Sequence, residues 1–432
     1  MPSIATATVL PDVFPEPLPD AGKIPASPGD QAGGGRSLRG GMRLINDPNG
    51  AAGSQVDDDG NEPTISVLPF DQLSPELLAK WESLRRQSCH WNQPFFASRF
   101  SAAVHRARGD VLVAVIKRTA SDGLDEAVGF LPFHRIGRVG VPAGRFLNDA
   151  QNVIGLPAER VNWPALLEAC DVRAFDLHAI IHPAERWMTE YRLNSVGAYQ
   201  ADFAGDSEGY LRRLATVHRT ISKQGQKTRK LSREVGEIRL EVDCRSPEVL
   251  AQTIAWKRAQ YQRTHILDLF LPDWTRRMIE VLHGGSNSAS SERLDHDPLR
   301  GLLSVLWAGD QVIAAHYGMI EQGRLHYWFP TYDPTYSRYS PGTALFTELV
   351  REATRHGIDC IDMGYGEQPY KQKQTATTTN VAYGTITHSG WHRLTHSARN
   401  AFSRYVKQMP MKGTIKKAWR AVHPTAGIKK LG

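Results

Sequence analysis

Residues 325–366 read LHYWFPTYDPTYSRYSPGTALFTELVREATRHGIDCIDMGYG, and their pattern identifies the architecture. Leu325–Phe329 is a short apolar and aromatic run of strand type. A Pro- and Ser-rich loop from Asp333 to Pro341 follows, and then Leu345, Phe346, Leu349, Val350 and Ala353 recur at helical spacing. His356-Gly357 ends that helix, glycine suiting the left-handed position there. Ile358–Met363 is again a strand, and Gly364 and Gly366 break the chain after it. Strand, loop, helix, strand is the signature of an α/β unit.

The same reading extends upstream. Leu302–Trp307 turns at Gly309-Asp310 into Val312–Ile320, and Gln322-Gly323 turns that strand into Leu325–Phe329. Helices are expected at about 247–264 and 272–283, with a loop from Gly284 to Pro298. Residues 207–235 read as one basic helix, whose Arg219, Lys223, Lys227 and Lys230 lie on related faces at i, i+4 spacing. Nearer the N-terminus, Ser74-Pro75-Glu76 opens a helix containing Leu77, Leu78 and Trp81. Strands follow at Val111–Ile116 and Ala127–Leu131, a helix at Trp163–Leu167 and a strand at Ala174–Leu177. Both parts thus run strand, turn, strand, long loop, helix, strand. Ala174-Phe175-Asp176-Leu177 aligns with Cys360-Ile361-Asp362-Met363, which points to a duplicated unit.

Composition bounds the function. The 432 residues are 41% hydrophobic and 22% charged, enough for roughly two domains. No run approaches the roughly 20 apolar residues that span a bilayer. No basic, apolar and small-residue succession marks a secretory leader, and four scattered cysteines without a CxxC pair suit a reducing compartment, so a cytoplasmic location is expected. Residues 1–63 are rich in Pro, Gly, Asp and Ser and are expected to be disordered. From Trp391 to Gly432 there are ten Lys/Arg and no Asp or Glu, more than the whole chain's net charge of +7, so the body before this tail is not basic. DNA binding by the body is therefore not expected. Trp391, Leu394, Ala398, Ala401, Phe402 and Tyr405 recur at helical spacing among those charges, a pattern that suits an anionic membrane surface or docking on the protein itself.

Walker A, HExxH, GxSxG and complete GxGxxG sequences are missing, and no metal-ligand set is apparent. The loop Arg338-Tyr339-Ser340-Pro341-Gly342-Thr343-Ala344 opens a helix, so free amides at Gly342, Thr343 and Ala344 suit an anion, with Arg338 as a charged neighbour. His316 and His326 on adjacent strands are candidate bases. Tyr327 points the other way from His326 unless a bulge intervenes. Tyr332 and Asp333 stand at a strand end. Asp362, Glu367, Tyr370 and Lys371 follow the glycine-broken strand, Tyr370 as a proton donor to a thiolate and Lys371 as a partner for a phosphate or acidic sugar. A plain helix cap, hydrogen-bonded sheet histidines and a structural turn at Asp362 account for the same residues without chemistry.

Phe329-Pro330-Thr331-Tyr332-Asp333-Pro334, Ser340-Pro341-Gly342 and Ile361-Asp362-Met363-Gly364-Tyr365-Gly366-Glu367-Gln368-Pro369-Tyr370-Lys371 together resemble the GNAT-type acetyltransferases of cellulose and exopolysaccharide biosynthesis (the CelD-type group), relatives of the FemAB-like double-GNAT proteins. The resemblance covers about residues 200–390 and weakens back to about 65. It implies an α/β fold of two tandem GNAT-like halves, each a mixed, largely antiparallel sheet flanked by helices, at 64–205 and 206–390. It also implies acetyl-CoA as co-substrate, a saccharide or lipid-linked sugar acceptor, and direct transfer without a covalent intermediate. Arg338, Ser340, Gly342, Thr343 and Ala344 become the donor-binding candidates, although Tyr339 stands where the family's loop is basic. His316, His326, Glu367 and Tyr370 become the catalytic candidates, and Tyr332, Asp333, Asp362 and Lys371 the acceptor-binding ones. The tail would contact a membrane inner face or a polysaccharide synthase. Rival readings are a FemAB-like aminoacyl-tRNA-dependent transferase and a non-catalytic accessory subunit of a synthase.

Overall fold

The computed structural model describes residues 63–119, 123–203, 205–264, 266–284 and 298–387. The expectations for the N-terminal segment up to residue 62 and for the basic tail lie outside the described residues.

The chain opens with β1 (Thr64–Pro69), α1 (Pro75–Arg86) and α2 (Ser98–Arg108). The Ser74 side chain accepts from the Leu77 amide at 3.3 Å, which is the expected cap. Next come β2 (Leu112–Thr119), β3 (Asp125–Ile136), β4 (Val139–Pro142), α3 (Trp163–Ala169), β5 (Ala174–Ile180), α4 (Glu185–Tyr191) and β6 (Asn194–Asp202). The second part contains α5 (Ser207–Val217), α6 (Arg219–Ser222), α7 (Gln224–Glu234), β7 (Ile238–Glu241), α8 (Pro247–Thr264), α9 (Asp273–His283), β8 (Arg300–Ala308), β9 (Gln311–Glu321) and β10 (Arg324–Tyr332). It closes with α10 (Pro341–Ala353), β11 (Cys360–Tyr365), α11 (Pro369–Gln374) and β12 (Thr377–Ile386).

The single basic helix expected over 207–235 is three helices. His218 is extended (φ −115°, ψ 104°), which breaks the α5 ladder and turns α6 and α7 onto new axes. The β9–β10 hairpin is the one expected: Gln322 and Gly323 both have left-handed φ (47° and 73°), as a two-residue turn matching strand twist requires.

All strands among the described residues join one 12-stranded mixed sheet in the order β1-β2-β3-β4-β5-β12-β6-β11-β10-β9-β8-β7. The order is palindromic about the β12–β6 pair. Each half supplies one strand to the other: β6 pairs with β11, and β12 pairs with β5. The parallel registers Val139↔Ala174 and Arg324↔Cys360 make Ala174 and Cys360 equivalent, so the short alignment visible in the sequence marks a real repeat. A single apolar cluster runs across the two halves, joining Trp81, Phe95 and Phe100 to Met278, Ile279, Tyr317 and Phe329. Beneath it lies a buried bidentate pair between the halves, Arg85 Nη2–Glu321 Oε2 at 2.6 Å and Arg85 Nη1–Glu321 Oε1 at 3.2 Å.

Candidate functional site

The site grows from a parting of strands. β10 and β11 pair in parallel only over Arg324–His326 and Cys360–Asp362. Beyond that vertex no backbone bond joins them among the described residues. Both strands bulge there: the β10 register slips between His326 and Phe329 and the β11 register between Asp362 and Tyr365. A bulge leaves backbone groups without ladder partners.

The repeat shows why only this half is open. In the first half β4 and β5 also pair at just two positions, but Gln151 bonds through its own backbone to Ala179 (2.8 Å) and Ile181 (3.1 Å). The chain thus fills its own gap. The crossover helix α3 is seven residues long, and its Asn162 side chain caps the Ala165 amide. The first half keeps only a void of ≈20 Å³, room for about one water molecule, lined by Phe95, Phe133, Asn148, Gln151 and Phe175, with no titratable side chain in its wall.

At the vertex of the second half, His326 is buried, with Nε2 3.2 Å from Asp149 Oδ2 and Nδ1 3.8 Å from Asp362 Oδ1. Phe95 meets its ring edge-on at a centroid distance of 4.6 Å. Asp362 accepts from Gln93 Nε2 and Gln200 Nε2 (each 3.0 Å) and from the Gly364 amide (2.8 Å). Gly364 has φ +67°, and a Cβ there would meet Asp149 Oδ2 at 2.4 Å, so the glycine admits the carboxylate. Asp149, Gln93 and Phe95 all come from the first half. Sequence reasoning missed them because they sit in loops remote from β10 in the chain.

His316 does not share this position with His326. Its ring stacks on Tyr327 at 3.8 Å, and Tyr327 packs on Phe346 of α10. Burial drives the His316 pKa well below the usual imidazole value, with His326 adding to the effect, so His316 stays neutral.

Glu367 is held by the Tyr199 hydroxyl (2.5 Å), Gln372 Nε2 (3.1 Å) and the Gly197 amide (3.3 Å), and these bonds lower its pKa. It fixes the loop after β11 to β6. Tyr370 is 40% exposed at the rim. Lys371 is buried and donates to the Tyr365 carbonyl at 2.6 Å. Opposite it, Lys257 of α8 is buried and donates to the Pro330 carbonyl of β10 at 3.0 Å. Desolvation brings both lysines down to about 8. Lys257 was also missed, though Thr253, Lys257 and Tyr261 recur at i, i+4, i+8 on the buried side of α8.

The loop entering α10 departs from the expected anion cradle. The Thr343 and Ala344 amides donate to the Ser340 carbonyl (each 3.0 Å), the ordinary closing of a first turn. Of the three amides, only that of Gly342 has no backbone acceptor among the described residues. Arg338 turns away to Glu234 (3.1 Å), which the buried Tyr339 hydroxyl also contacts. Its place is taken by Lys227 of α7, whose Nζ donates to Ser340 Oγ at 2.7 Å. Tyr332 lies beside Gly342, and Asp333 caps the Thr335 amide at 2.9 Å. Asp333 is thus a turn residue.

Cys360 sits at the vertex, but burial pushes its thiol up to about 12, and Cys170 (about 12) and Cys244 (about 11) are similar. A thiol held at such a value is not a nucleophile near neutral pH. Among the described residues, no helix is long and apolar enough to cross a membrane.

Comparison with known proteins agrees with this anatomy. Residues 192–372 match the acetyltransferase (GNAT) domain family. The match begins at β6, the strand that crosses into the second half, and ends before β12. No curated protein sequence matches the chain. Among solved structures, FemX has 9% identity and a TM-score of 0.49, covering 77% of this chain and 98% of its own. The C-terminal domain of a lysylphosphatidylglycerol synthetase from Agrobacterium fabrum has 11% identity and a TM-score of 0.43, covering 74% and 95%. A tandem GNAT protein from the clavulanic acid pathway has 9% identity and a TM-score of 0.40, covering 76% and 99%. The domain match over residues 192–372 supports an acyltransferase.

Proposed function

From the GNAT acetyltransferase domain at residues 192–372, we propose that this chain transfers an acyl group, from acetyl-CoA or a close analogue, to an amine or hydroxyl of a polysaccharide or its precursor. The observation that carries this reading is the parting of β10 and β11 beyond His326 and Asp362, a slot for an extended thioester arm. The arm's diphosphate is assigned to the Gly342 amide and Lys227 at the start of α10, where the helix dipole also favours negative charge. Backbone amides freed by the β10 bulge hold the developing oxyanion.

The acceptor attacks the thioester carbonyl directly, forming its N–C or O–C bond as the C–S bond breaks. Its proton passes to the Asp149 carboxylate, which lies 3.2 Å from His326 Nε2. Tyr370 at the rim returns a proton to the departing thiolate. The saccharide acceptor rests on the motif resemblance at Asp362–Lys371.

A second donor is favoured by one feature. Arg212, Arg219, Lys223, Arg229 and Arg233 on α5–α7 are exposed without an ion pair among the described residues, a surface that suits the phosphates of an aminoacyl-tRNA. Thermal unfolding with acetyl-CoA, CoA and tRNA separates the readings. A ligand at 100 times its Kd stabilises by about 2.7 kcal/mol. A shift with both CoA compounds supports the first donor, a salt-sensitive shift with tRNA alone the second, and no shift with any removes both.

A further inference from the structure

Lys257 and Lys371 each reach one of the two strands that part. Lys257 reaches from α8 to Pro330 on β10, and Lys371 from α11 to Tyr365 on β11. They are 9% and 6% exposed. Neither makes an ion pair among the described residues, and each spends one hydrogen-bond donor on a carbonyl. An ammonium has three donors. Four N–H groups are therefore left without a partner beside the opening, and the charges are offset only in part, by the Tyr261 ring 5.4 Å from Lys257 Nζ and by Asp149, Asp362 and Glu367 around Lys371.

Burying a cation costs several kcal/mol unless an anion and further hydrogen bonds compensate it. None of the carboxylates around Lys371 forms an ion pair with it among the described residues: Asp149 lies beside His326, Asp362 accepts from Gln93, Gln200 and Gly364, and Glu367 from Tyr199 and Gly197. Around Lys257 the charged neighbour is Lys371 itself, which adds to the lowering of its pKa. Two cations that repel one another and keep spare donors lack an oxyanion with several acceptor oxygens. The donor's phosphates have their own place at Lys227, on the α10 end. The missing anion therefore belongs to the other substrate.

We propose that Lys257 and Lys371 together hold a carboxylate or phosphoryl group of the acceptor, so that this enzyme acts on an acidic sugar or sugar phosphate rather than a neutral one. The assignment of that group to an acceptor rests on the acyl-transfer reading above; the anion site itself rests on the two lysines.

The test is equilibrium titration of the full chain with matched probes: glucosamine 6-phosphate against glucosamine, and glucuronate against glucose. A charged member binds at least about tenfold more tightly than its neutral partner, and the two pairs distinguish phosphoryl from carboxylate. In Lys257→Met and Lys371→Met that preference falls below about threefold, because each removes half of the clamp. Removing a buried charge offset only in part favours folding, and Lys257→Gln and Lys371→Gln give the same comparison if either Met variant misfolds. Equal binding of charged and neutral probes, no binding of either charged probe, or a preference kept in all variants overturns the proposal. So does a lysine-dependent preference for succinyl-CoA over acetyl-CoA, which would move the anion to the acyl chain. The sugar titrations need no donor, so failure of acetyl-CoA to bind removes the acyl-transfer reading without deciding this one.

Discussion

The Asp149 carboxylate of the first half lies 3.2 Å from Nε2 of His326 on β10 of the second. One half supplies the carboxylate and the other the imidazole, so the pair exists only where the two halves meet. Asp149→Asn is expected to lower kcat by about 10²–10⁴-fold, the usual worth of a positioned proton acceptor. Acetyl-CoA affinity should stay unchanged, since the variant leaves Lys227 and Gly342 in place. Steady-state kinetics alongside a donor titration measures both, and an undiminished kcat would remove Asp149 from the proton path.

Gly342 separates donor binding from folding. Its φ is not left-handed, and a Cβ there would find Tyr332 Cδ1 at 3.7 Å, ordinary contact. Gly342→Ala should therefore leave the melting temperature unchanged or raise it, alanine being better in a helix by up to about 1 kcal/mol. A diphosphate approaching that amide has no such room. Donor affinity is expected to fall by about tenfold or more in a titration with acetyl-CoA. A variant that binds the donor normally would dissociate the α10 turn from the diphosphate.

Arg85 and Glu321 are buried together between the halves, with Glu82 also 2.7 Å from Arg85 Nη1. Removing one partner leaves an uncompensated charge. Arg85→Ala should destabilise the chain by about 3–5 kcal/mol in urea unfolding, whereas Arg85→Met with Glu321→Leu should recover most of the loss. A small effect of the single variant would show that water reaches the pair.

The buried lysines give a pH signature. Their folded pKa of about 8 lies below the ordinary 10.5, so between these values the unfolded chain binds more protons than the folded one. Their contribution to stability is therefore unfavourable below pH 8 and is relieved as pH rises toward 10.5. The groups facing them are Asp149, Asp362 and Glu367 at Lys371, and Lys371 and His316 at Lys257. Unfolding free energy measured from pH 7 to 10 should rise more steeply in the native protein than in Lys371→Met. Parallel curves would show that Lys371 is solvated and titrates normally.

The sequence made the second half legible where pattern and place coincide. The stripe Leu345, Phe346, Leu349, Val350 and Ala353 is buried on α10, and the strands on either side lie where alternation and turns put them. Chemistry was less legible because it depends on what meets across the sheet. Asp362 and Lys371 were visible as polar residues after a glycine-broken strand. Asp149 and Gln93 were not, since loop residues carry no period that announces a partner on β10. Thr343 and Ala344 are not the free donors their place at a helix start predicts, because the Ser340 carbonyl, at a residue with a left-handed φ of 54°, accepts from both. The β6 sequence alternates like any strand, and nothing in it says which half it will enter.

That exchange has a price in synthesis. Residues 377–386 leave the ribosome after every other described strand, yet they seal the middle of the sheet between β5 and β6. Until then the nascent polypeptide carries two raw strand edges facing each other across an empty slot, an invitation to pair with a neighbouring chain. A stalled or truncated translation product lacking this one segment should consequently be captured by chaperones or precipitate, rather than accumulate as an independently folded fragment.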